Sequence, residues 1–167
     1  MLKGKVIGLL LVGLLSLSAC SSYRPLYGKG PDGLSVNQGL ANISVPEQHT
    51  RAGQLLRNEL LDGIGSSPSA RFSLKLDIVE KTLDVSSLAS SSAERKRYSL
   101  SAHYELLDSA SGKIGTSGES FSNVSFDTIN QPVADLTAAD NARLRAAKEL
   151  GQDLKLRLAA FLSTQKG

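Results

Sequence analysis

The stretches "RFSLKLDIVEKTLDV" at 71–85 and "RYSLSAHYELLD" at 97–108 decide the fold. In both, apolar and polar side chains alternate residue by residue, which is the period of a strand with one buried face. The apolar sets are Phe72, Leu74, Leu76 and Ile78 in the first stretch and Tyr98, Leu100, Ala102, Tyr104 and Leu106 in the second. The two stretches predict half-buried strands, with His103 and Glu105 pointing away from the buried side.

Two further strands flank this pair in the sequence. Residues 108–112, "DSASG", have the composition of a hairpin turn. The following stretch at 113–127 is a weaker strand whose glycines at 115 and 118 indicate a bulge or bend. Its apolar residues are Phe121, Val124 and Phe126. Residues 40–45, "LANISV", form a short strand candidate that Pro46 ends.

Two segments have helical rather than strand periodicity. Between 48 and 64, the apolar residues recur at three- and four-residue spacing: Ala52, Leu55, Leu56, Leu60 and Ile64. From about Thr137 to Leu162 the same spacing joins Ala142, Ala146, Leu150, Leu154, Leu158 and Phe161. Gly151 costs this helix up to about 1 kcal/mol. The element order β-α-β-β-β-α predicts an α+β two-layer sandwich, with two helices packed on one face of a four-stranded, mainly antiparallel sheet.

The N-terminus has the features of a secretory signal. Lys3 and Lys5 precede an apolar run at 6–17, which is shorter than the roughly 20 residues of a membrane-spanning helix. Leu17-Ser-Ala-Cys20 then resembles the lipobox of bacterial lipoproteins, in which the signal is cut before the cysteine. The resemblance implies an S-diacylglycerol and N-acyl lipid on Cys20. The alternative, a small buried core cysteine, fits poorly beside the apolar run.

These features divide the chain into three parts. Residues 1–19 are the signal peptide, 20–38 a lipidated tether rich in Gly, Ser and Pro, and 39–167 a single α+β domain. Ser21, where enteric lipoproteins retained in the inner membrane have Asp, points by resemblance to the outer membrane.

Composition and motifs argue against several classes of function. Without Lys3 and Lys5, 17 basic residues face 16 acidic ones, so the net charge falls from +3 to +1 and does not favour nucleic acid. The only cysteine is Cys20, and the two histidines, His49 and His103, lie far apart. We therefore expect no disulfide and no metal site. No Gly-x-Ser-x-Gly elbow and no phosphate-binding loop occurs, so we expect no catalytic residue and no cofactor other than the lipid.

The chain resembles LptE, the lipopolysaccharide-assembly lipoprotein family, in its alphaproteobacterial type. Three peptides carry the resemblance: "RPLYG" at 24–28, "LRNEL" at 56–60, and "YELLDSASGK" at 104–113. It implies two helices on a four-stranded sheet, a position as a plug inside the β-barrel LptD, and assistance in assembling that barrel. It also implies contact with lipopolysaccharide during its insertion into the outer leaflet, and no covalent chemistry.

Two peptides are candidate binding sites. Arg95, Lys96 and Arg97 form a basic cluster suited to the phosphates of lipopolysaccharide or to acidic groups of the barrel wall; the alternative is a solvated loop end or charge protection of an edge strand. Tyr23, Arg24, Pro25, Leu26 and Tyr27 are candidates for docking the anchored end to the barrel, although a tether or an interfacial segment is also open. The basic residues of the last helix are a weaker candidate, with Glu149 and Asp153 as ion-pair partners: Arg143, Arg145, Lys148, Lys155 and Arg157.

Two other functions remain open at the level of sequence. A lipobox and a small α+β domain also occur in accessory periplasmic lipoproteins of lipid ABC-transport systems. A lipoprotein enzyme acting on envelope polymers is the third possibility, and the lack of a catalytic constellation argues against it.

Overall fold

The computed structural model describes residues 39–64, 69–87 and 94–164, without the side chains of residues 86 and 87. Within these ranges the order is β-α-β-β-β-α, as predicted. The elements are β1 (Ile43–Ser44), α1 (Arg51–Leu61), β2 (Phe72–Ser87), β3 (Glu94–Asp108), β4 (Ile114–Thr128) and α2 (Pro132–Thr164).

The four strands form one open, mixed sheet in the order β1-β2-β3-β4. The β1 strand is parallel to β2, with Ile43 opposite Phe72, and the remaining pairs are antiparallel. Strands β2 to β4 are 15 or 16 residues long, whereas β1 has only two. The prediction of a mainly antiparallel sheet is therefore confirmed, and β3 is a central strand.

The α1 helix is shorter than its apolar periodicity predicts. Thr50 caps its N-terminus with extended backbone, and its hydroxyl accepts a hydrogen bond from the Gly53 amide at 3.0 Å. A side-chain cap of this kind satisfies one of the free amides of the first turn. Beyond Leu61, the amides of Gly63 and Ile64 turn back onto the Leu60 carbonyl and end the helix. The helix buries Ala52, Leu56 and Leu60.

The hairpin between β3 and β4 uses the turn that the sequence predicts. The Asp108 carboxylate accepts hydrogen bonds from the amides of Ser111 and Ala110, at 2.9 and 3.1 Å. These bonds, that of Ser111 first, hold the pKa of Asp108 below its ordinary value. Gly112 has a φ of 68°, which glycine adopts without strain.

The two glycines of β4 have different roles. The register skips Gly115, since Leu106 pairs with Thr116 and Leu107 with Ile114, so the predicted bulge lies there. Gly118 stays in register opposite Tyr104. A Cβ atom at this glycine would lie 3.0 Å from the Tyr104 hydroxyl. Gly118 therefore makes room for the ring of Tyr104.

The α2 helix begins five residues earlier than predicted. Pro132 is its first residue, a position where a fixed φ and a missing amide cost nothing. The Asp135 carboxylate accepts hydrogen bonds from the amides of Ile129 and Gln131, at 2.8 and 3.1 Å. Asn130 joins β4 to the helix with a φ of 58°. The capped start extends the helix beyond its apolar stripe.

Gly151 lies at the contact between α1 and α2. A Cβ atom there would lie 2.6 Å from Cγ of Glu59 and 3.5 Å from Cδ1 of Leu56. The side chain of Lys155, one turn further on, donates to Glu59 Oε1 at 2.8 Å and to the Glu59 carbonyl at 3.0 Å. The glycine that weakens α2 as an isolated helix therefore permits its contact with α1.

The core lies between the helices and the even-numbered face of strands β2 to β4. All five predicted apolar residues of β3 are buried there, together with Phe72 and Leu74 from β2. Strand β4 contributes Val124, Phe126 and two buried serines. The serines meet carboxylates of α2: Ser122 donates to Glu149 at 2.6 Å, and Ser120 donates to Asp153. The contact between β4 and α2 thus combines apolar packing with buried hydrogen bonds.

Candidate functional site

Neither α1 nor α2 packs on the opposite face of the sheet. We call it the open face: the odd-numbered residues 73–83, 95–107 and 117–127 of β2, β3 and β4. None of these side chains is buried, whereas their even-numbered neighbours form the core. The register places the open-face residues in rows across the three strands, so the chemistry of the surface follows from the register.

One end of the open face carries acidic groups and the histidine. Asp77, His103 and Glu119 form one row across β2, β3 and β4. In the neighbouring row, Lys75 donates to Glu105 at 3.1 Å. The Nε2 atom of His103 lies 3.9 Å from Glu105 Oε1, and the His103 side chain is exposed. The prediction that His103 and Glu105 point away from the helices is confirmed.

The middle of the open face exposes apolar side chains. Val79, Ser101 and Phe121 form the next row. Phe121 is 71 % exposed and Val79 47 %. Leu83, four residues along β2, is 54 % exposed. Val79, Phe121 and Leu83 are thus the apolar side chains exposed on this otherwise polar surface, and they are spread over two rows.

The other end of the open face is basic. Lys81 lies beyond Val79 on β2, and Arg97 lies opposite Leu83 on β3. Ser99, opposite Lys81 on β3, donates a hydrogen bond to Asn123 on β4 at 2.6 Å. Among the described residues, neither Lys81 nor Arg97 has an ion-pair partner. Two cations without an ion-pair partner in the described part of the chain therefore lie at this end of the open face.

The predicted basic cluster is split between the two faces of the sheet. Arg95 and Arg97 belong to the open face, whereas the strand period turns Lys96 toward the helix side, 3.2 Å from Asp84. Arg95 donates to both carboxylate oxygens of Asp127, at 2.9 and 3.3 Å. These hydrogen bonds lower the pKa of Asp127. Arg97 is the member of the cluster whose charge is left unpaired, and protection of an edge strand does not explain the cluster, since β3 is central.

The basic residues of α2 mostly have internal partners. Arg143 donates to Asp140 at 2.6 Å and to Glu80 at 3.4 Å. Arg157 donates to Asp153 at 2.6 Å, as the sequence predicts, whereas Glu149 binds Ser122. Arg145 donates to the Ser125 carbonyl at 3.3 Å. Most of these cations therefore stabilise the fold.

A polar network on the helix side escapes sequence reasoning. The Tyr98 hydroxyl donates to Glu80 Oε2 at 2.6 Å, and the guanidinium of Arg143 lies 5.6 Å from the centre of the Tyr98 ring. Burial and the hydrogen bond to Glu80 raise the pKa of Tyr98. Glu80 and Arg143 are 18 and 45 residues from Tyr98 in sequence, and the pairing of the strands and the packing of α2 on the sheet bring the three together.

Sequence reasoning also misplaces Phe121 and overlooks Lys81. Phe121 is grouped with Val124 and Phe126 as an apolar residue of β4, but it lies on the other face. Its odd number is the signal that separates it from the two even-numbered core residues. Lys81 continues the alternation of Lys75 and Asp77, which places it on the same surface.

The other candidates lie outside this surface or outside the described residues. Cys20 and the peptide Tyr23–Tyr27 precede residue 39, where the description begins. Within the described ranges, no three His, Cys, Asp or Glu side chains are grouped closely enough to hold a metal ion. In the same ranges, neither α1 nor α2 is a candidate to span a membrane.

Among the described residues, the fold defines a class: a two-layer α+β protein in which both helices lie on one side of a long, mixed sheet. Solved structures of this class include "a putative lipoprotein from Caulobacter crescentus", with a TM-score of 0.68 and 26 % identity over 78 % of this chain and 97 % of that one. A minor lipoprotein from Acinetobacter baumannii has a TM-score of 0.52 and 13 % identity over 71 % and 90 %. No protein-family model matches the chain, and no curated protein matches it significantly. The chain therefore has the fold of solved bacterial lipoproteins.

Proposed function

We propose that this chain is the LptE-like lipoprotein of a lipopolysaccharide translocon, anchored in the outer membrane through a lipid on Cys20. The observation that carries the proposal is the fold shared with the Caulobacter crescentus lipoprotein over 97 % of that chain. The lipobox at Cys20 and the three LptE-like peptides support it. In this role the protein plugs an LptD-type β-barrel and assists its assembly.

The open face suits a partner with a polar, concave wall. The helices cover one side of the sheet, and the other side presents serines, charged groups and a few exposed apolar side chains. Along each strand of a transmembrane β-barrel, polar residues that face the interior alternate with apolar residues that face the lipid. A plug with a mixed, fully hydrated surface can pack there without burying a large apolar area. Tyr23, Leu26 and Tyr27 would dock the anchored end to the same barrel.

The basic end of the open face is our candidate for contact with lipopolysaccharide. Arg97 is unpaired among the described residues and lies diagonally across from Lys81, next to Leu83. A guanidinium binds phosphate oxygens in a bidentate manner, and a lysine adds a second positive charge. Val79 lies two residues before Lys81 on the same face and is exposed, so it can meet an apolar part of the same ligand. Of the predicted cluster, Arg97 is thus the strongest candidate and the paired Lys96 the weakest.

The partner is tested by purifying the tagged, lipidated protein from native envelopes in mild detergent and identifying its companions by mass spectrometry. We expect a large outer-membrane β-barrel in roughly equimolar amount. Replacing Tyr23, Leu26 and Tyr27 together by Ser, with Cys20 retained, should reduce its recovery. Recovery of inner-membrane transporter subunits without a barrel would contradict the proposal and favour an accessory lipoprotein of a lipid ABC transporter.

The ligand contact is tested separately with Arg97→Glu and Lys81→Glu. Each should weaken binding of purified lipopolysaccharide, and the effect should shrink as salt is raised. Lys113→Glu is the matched control, because it makes the same change of charge at an exposed position of the hairpin between β3 and β4. Equal loss of binding in all three variants would mean that only overall charge matters, and would remove the open face as the contact.

A further inference from the structure

Strand β4 lies at an edge of the sheet, and half of its backbone groups point away from β3. The Asp108 amide donates to the Lys113 carbonyl at 2.9 Å, so the even-numbered residues of β3 direct their amides and carbonyls toward β4. The register pairs them with even-numbered residues of β4, from Thr116 to Thr128. The odd-numbered residues 117–127 therefore direct their amides and carbonyls outward. We call this row of backbone groups the β4 edge.

One outward carbonyl of the β4 edge has a donor within the chain. Arg145 of α2 donates to the Ser125 carbonyl at 3.3 Å, as expected for an odd-numbered residue. Among the described residues, the sheet ends at β4 and no further strand pairs with it. In that part of the chain, the β4 edge is therefore a template to which an extended segment can add main-chain hydrogen bonds.

The β4 edge lacks the devices that protect sheet edges from an added strand, which include lysines, prolines and bulges. From 116 to 128, β4 keeps an unbroken register with β3 and contains neither proline nor lysine. Its two charged residues are Glu119 and Asp127, and Arg95 pairs with Asp127. Beyond its short pairing with β1, the β2 strand has a register shift and five charged residues: Lys75, Asp77, Glu80, Lys81 and Asp84. The β2 side of the sheet is therefore protected, and the β4 side is not.

The N-terminal segment of the chain suits the β4 edge poorly. Residues 20–38 contain two prolines and three glycines, which are rare inside strands. The description begins at residue 39, just before β1, and β1 lies at the opposite end of the strand order from β4. A strand for the β4 edge is therefore better supplied by another molecule.

We propose that the β4 edge pairs with an edge strand of the β-barrel partner before that barrel closes. The inference rests on the proposed function and names how the chain would assist assembly. The β4 edge is 11 residues long, and a transmembrane β-strand has about 9–11 residues. A barrel has free strand edges only until its first and last strands pair. Pairing with β4 protects such an edge, ends when the barrel closes, and leaves the open face to meet the barrel wall.

The helix side of β4 suits the apolar side of such a strand. Ser122 of β4 donates to Glu149 at 2.6 Å, so this side of α2 lies over β4. Leu156 follows Glu149 by about two turns of helix, which places it on the same side of α2. Its side chain is exposed. Because polar and apolar side chains alternate along a barrel strand, an added strand can set an apolar residue against Leu156 and continue the polar open face on its other side.

Proline substitution tests the outward amides. Glu119→Pro and Asn123→Pro together remove two of them and leave the hydrogen bonds of the even-numbered residues with β3 in place. In cells carrying this double variant, we expect the barrel to reach its folded form about fivefold more slowly. The rate is measured by pulse-chase labelling and mobility on an unheated gel. Glu119→Ala/Asn123→Ala is the matched control, because it removes the same side chains and keeps both amides.

Thr82→Pro is the control for proline itself. The Phe72 amide donates to Asn42, so the even-numbered residues of β2 point away from β3, and Thr82 is exposed. This variant should assemble the barrel at the wild-type rate. Equal rates for the proline and alanine double variants, or equal slowing by Thr82→Pro, would overturn the inference. The proposed function would still stand if the barrel is recovered with the tagged wild-type chain, and a wild type that recovers no barrel would overturn both.

A second measurement uses the unsubstituted chain and so does not depend on the folding of a proline variant. Amide hydrogen exchange of the full, lipidated chain in detergent is followed by NMR, with and without synthetic peptides of the first and last strands of the recovered barrel. The amides of the β4 edge should exchange rapidly in the free chain and about tenfold or more slowly with one of the peptides. The outward amides of β2 should not change. Protection of the β4 edge in the free chain would mean that the chain covers it itself. That result, no protection by either peptide, or equal protection of β2 would overturn the inference.

Discussion

The two faces of strands β2 to β4 are formed by alternating residues of the same sequence, yet one face is buried and the other is exposed. On β3, Leu100 is 0 % exposed, and its neighbour Ser101 is partly exposed. On β4, Phe126 is 9 % exposed and Phe121 71 %, although both are phenylalanines of one strand. The helix-covered face determines the fold because it excludes water, and the open face is free to vary in charge and shape.

The polar contacts of the two faces differ in the same way. On the helix side, carboxylates and hydroxyls meet within partly buried contacts, such as Ser122 with Glu149. On the open face, the pair Lys75–Glu105 has a lysine side chain that is 70 % exposed. Water competes for an exposed pair and screens it, so its contribution to stability is small. The same hydration leaves its charges available to a partner.

The largest difference should appear when neighbouring residues of β3 are truncated. Leu100→Ala should lower the free energy of unfolding by about 2–5 kcal/mol, because it removes buried methyl groups and leaves a cavity. Ser101→Ala, the matched change one residue on, should stay within about 0.5 kcal/mol. Urea denaturation of the purified variants measures both. Equal losses at the two positions would mean that the open face is covered in the isolated protein.

A smaller difference should separate two lysine–glutamate pairs. Lys155→Ala leaves the Glu59 carboxylate and carbonyl without their donor at the α1–α2 contact, where the two side chains are 17 % and 20 % exposed. We expect a loss of about 1–3 kcal/mol. Lys75→Ala removes the open-face pair and should cost no more than about 0.5 kcal/mol. Urea denaturation of the two variants, run in parallel, measures the difference.

Similar losses for the two lysine variants would contradict this distinction. The distinction would also be contradicted if high salt abolished the difference in free energy of unfolding between the wild type and Lys155→Ala. Salt screens a partly buried ion pair less than an exposed one.

The sequence predicts the elements of this fold well where the periodicity is local. The alternation of 97–108 identifies every buried residue of β3, and "DSASG" identifies the hairpin. The helix bounds are less accurate because caps decide them: Thr50 delays α1, while Pro132 and Asp135 begin α2 early. The role of Gly151 is a further feature that local periodicity does not predict, because the glycine makes room for Glu59, which is 92 residues away in sequence.

The candidate site is less predictable than the fold. Successive side chains of a strand point to opposite faces of the sheet, so odd and even residue numbers alone could assign Arg97 and Phe121 to one face and Lys96 and Phe126 to the other. Register also decides which charges find a partner among the described residues. It places Asp127 opposite Arg95, whereas the residue of β4 opposite Arg97 is Ser125. Partners of this kind come from strands far apart in sequence, and a single sequence does not specify their alignment.

Acid should weaken the helix-covered face through Asp153. Partial burial works against the charged form, but hydrogen bonds from Ser120 and Arg157 lower the pKa of Asp153 below its ordinary value of 3.8. Because the folded pKa is the lower one, this carboxylate stabilises the fold above about pH 3.8, and the contribution is lost as the pH falls through the folded pKa.

The measurement is the free energy of unfolding from pH 6 down to pH 2. Asp153→Asn should decline less steeply than the wild type over the acid range, and the two curves should converge at low pH. Ser120→Ala keeps the carboxylate but removes one of its donors, so it should fall between them. Parallel curves for the wild type and Asp153→Asn would show that the contacts of this carboxylate do not contribute to acid stability.

The smallest effect on stability, and the most informative about the open face, is expected at Phe121. Its ring is 71 % exposed, so Phe121→Ala removes little buried area and should change the free energy of unfolding by no more than about 0.5 kcal/mol. The same variant should nevertheless lower the recovery of the β-barrel with the tagged chain, while Ser117→Ala, four residues away on the same strand, changes neither quantity. Urea denaturation and the purification of the two variants from native envelopes measure both quantities. A loss of stability without a loss of association would make Phe121 part of the fold; the reverse would make it part of an interface, because the only contacts it then loses are those with another molecule.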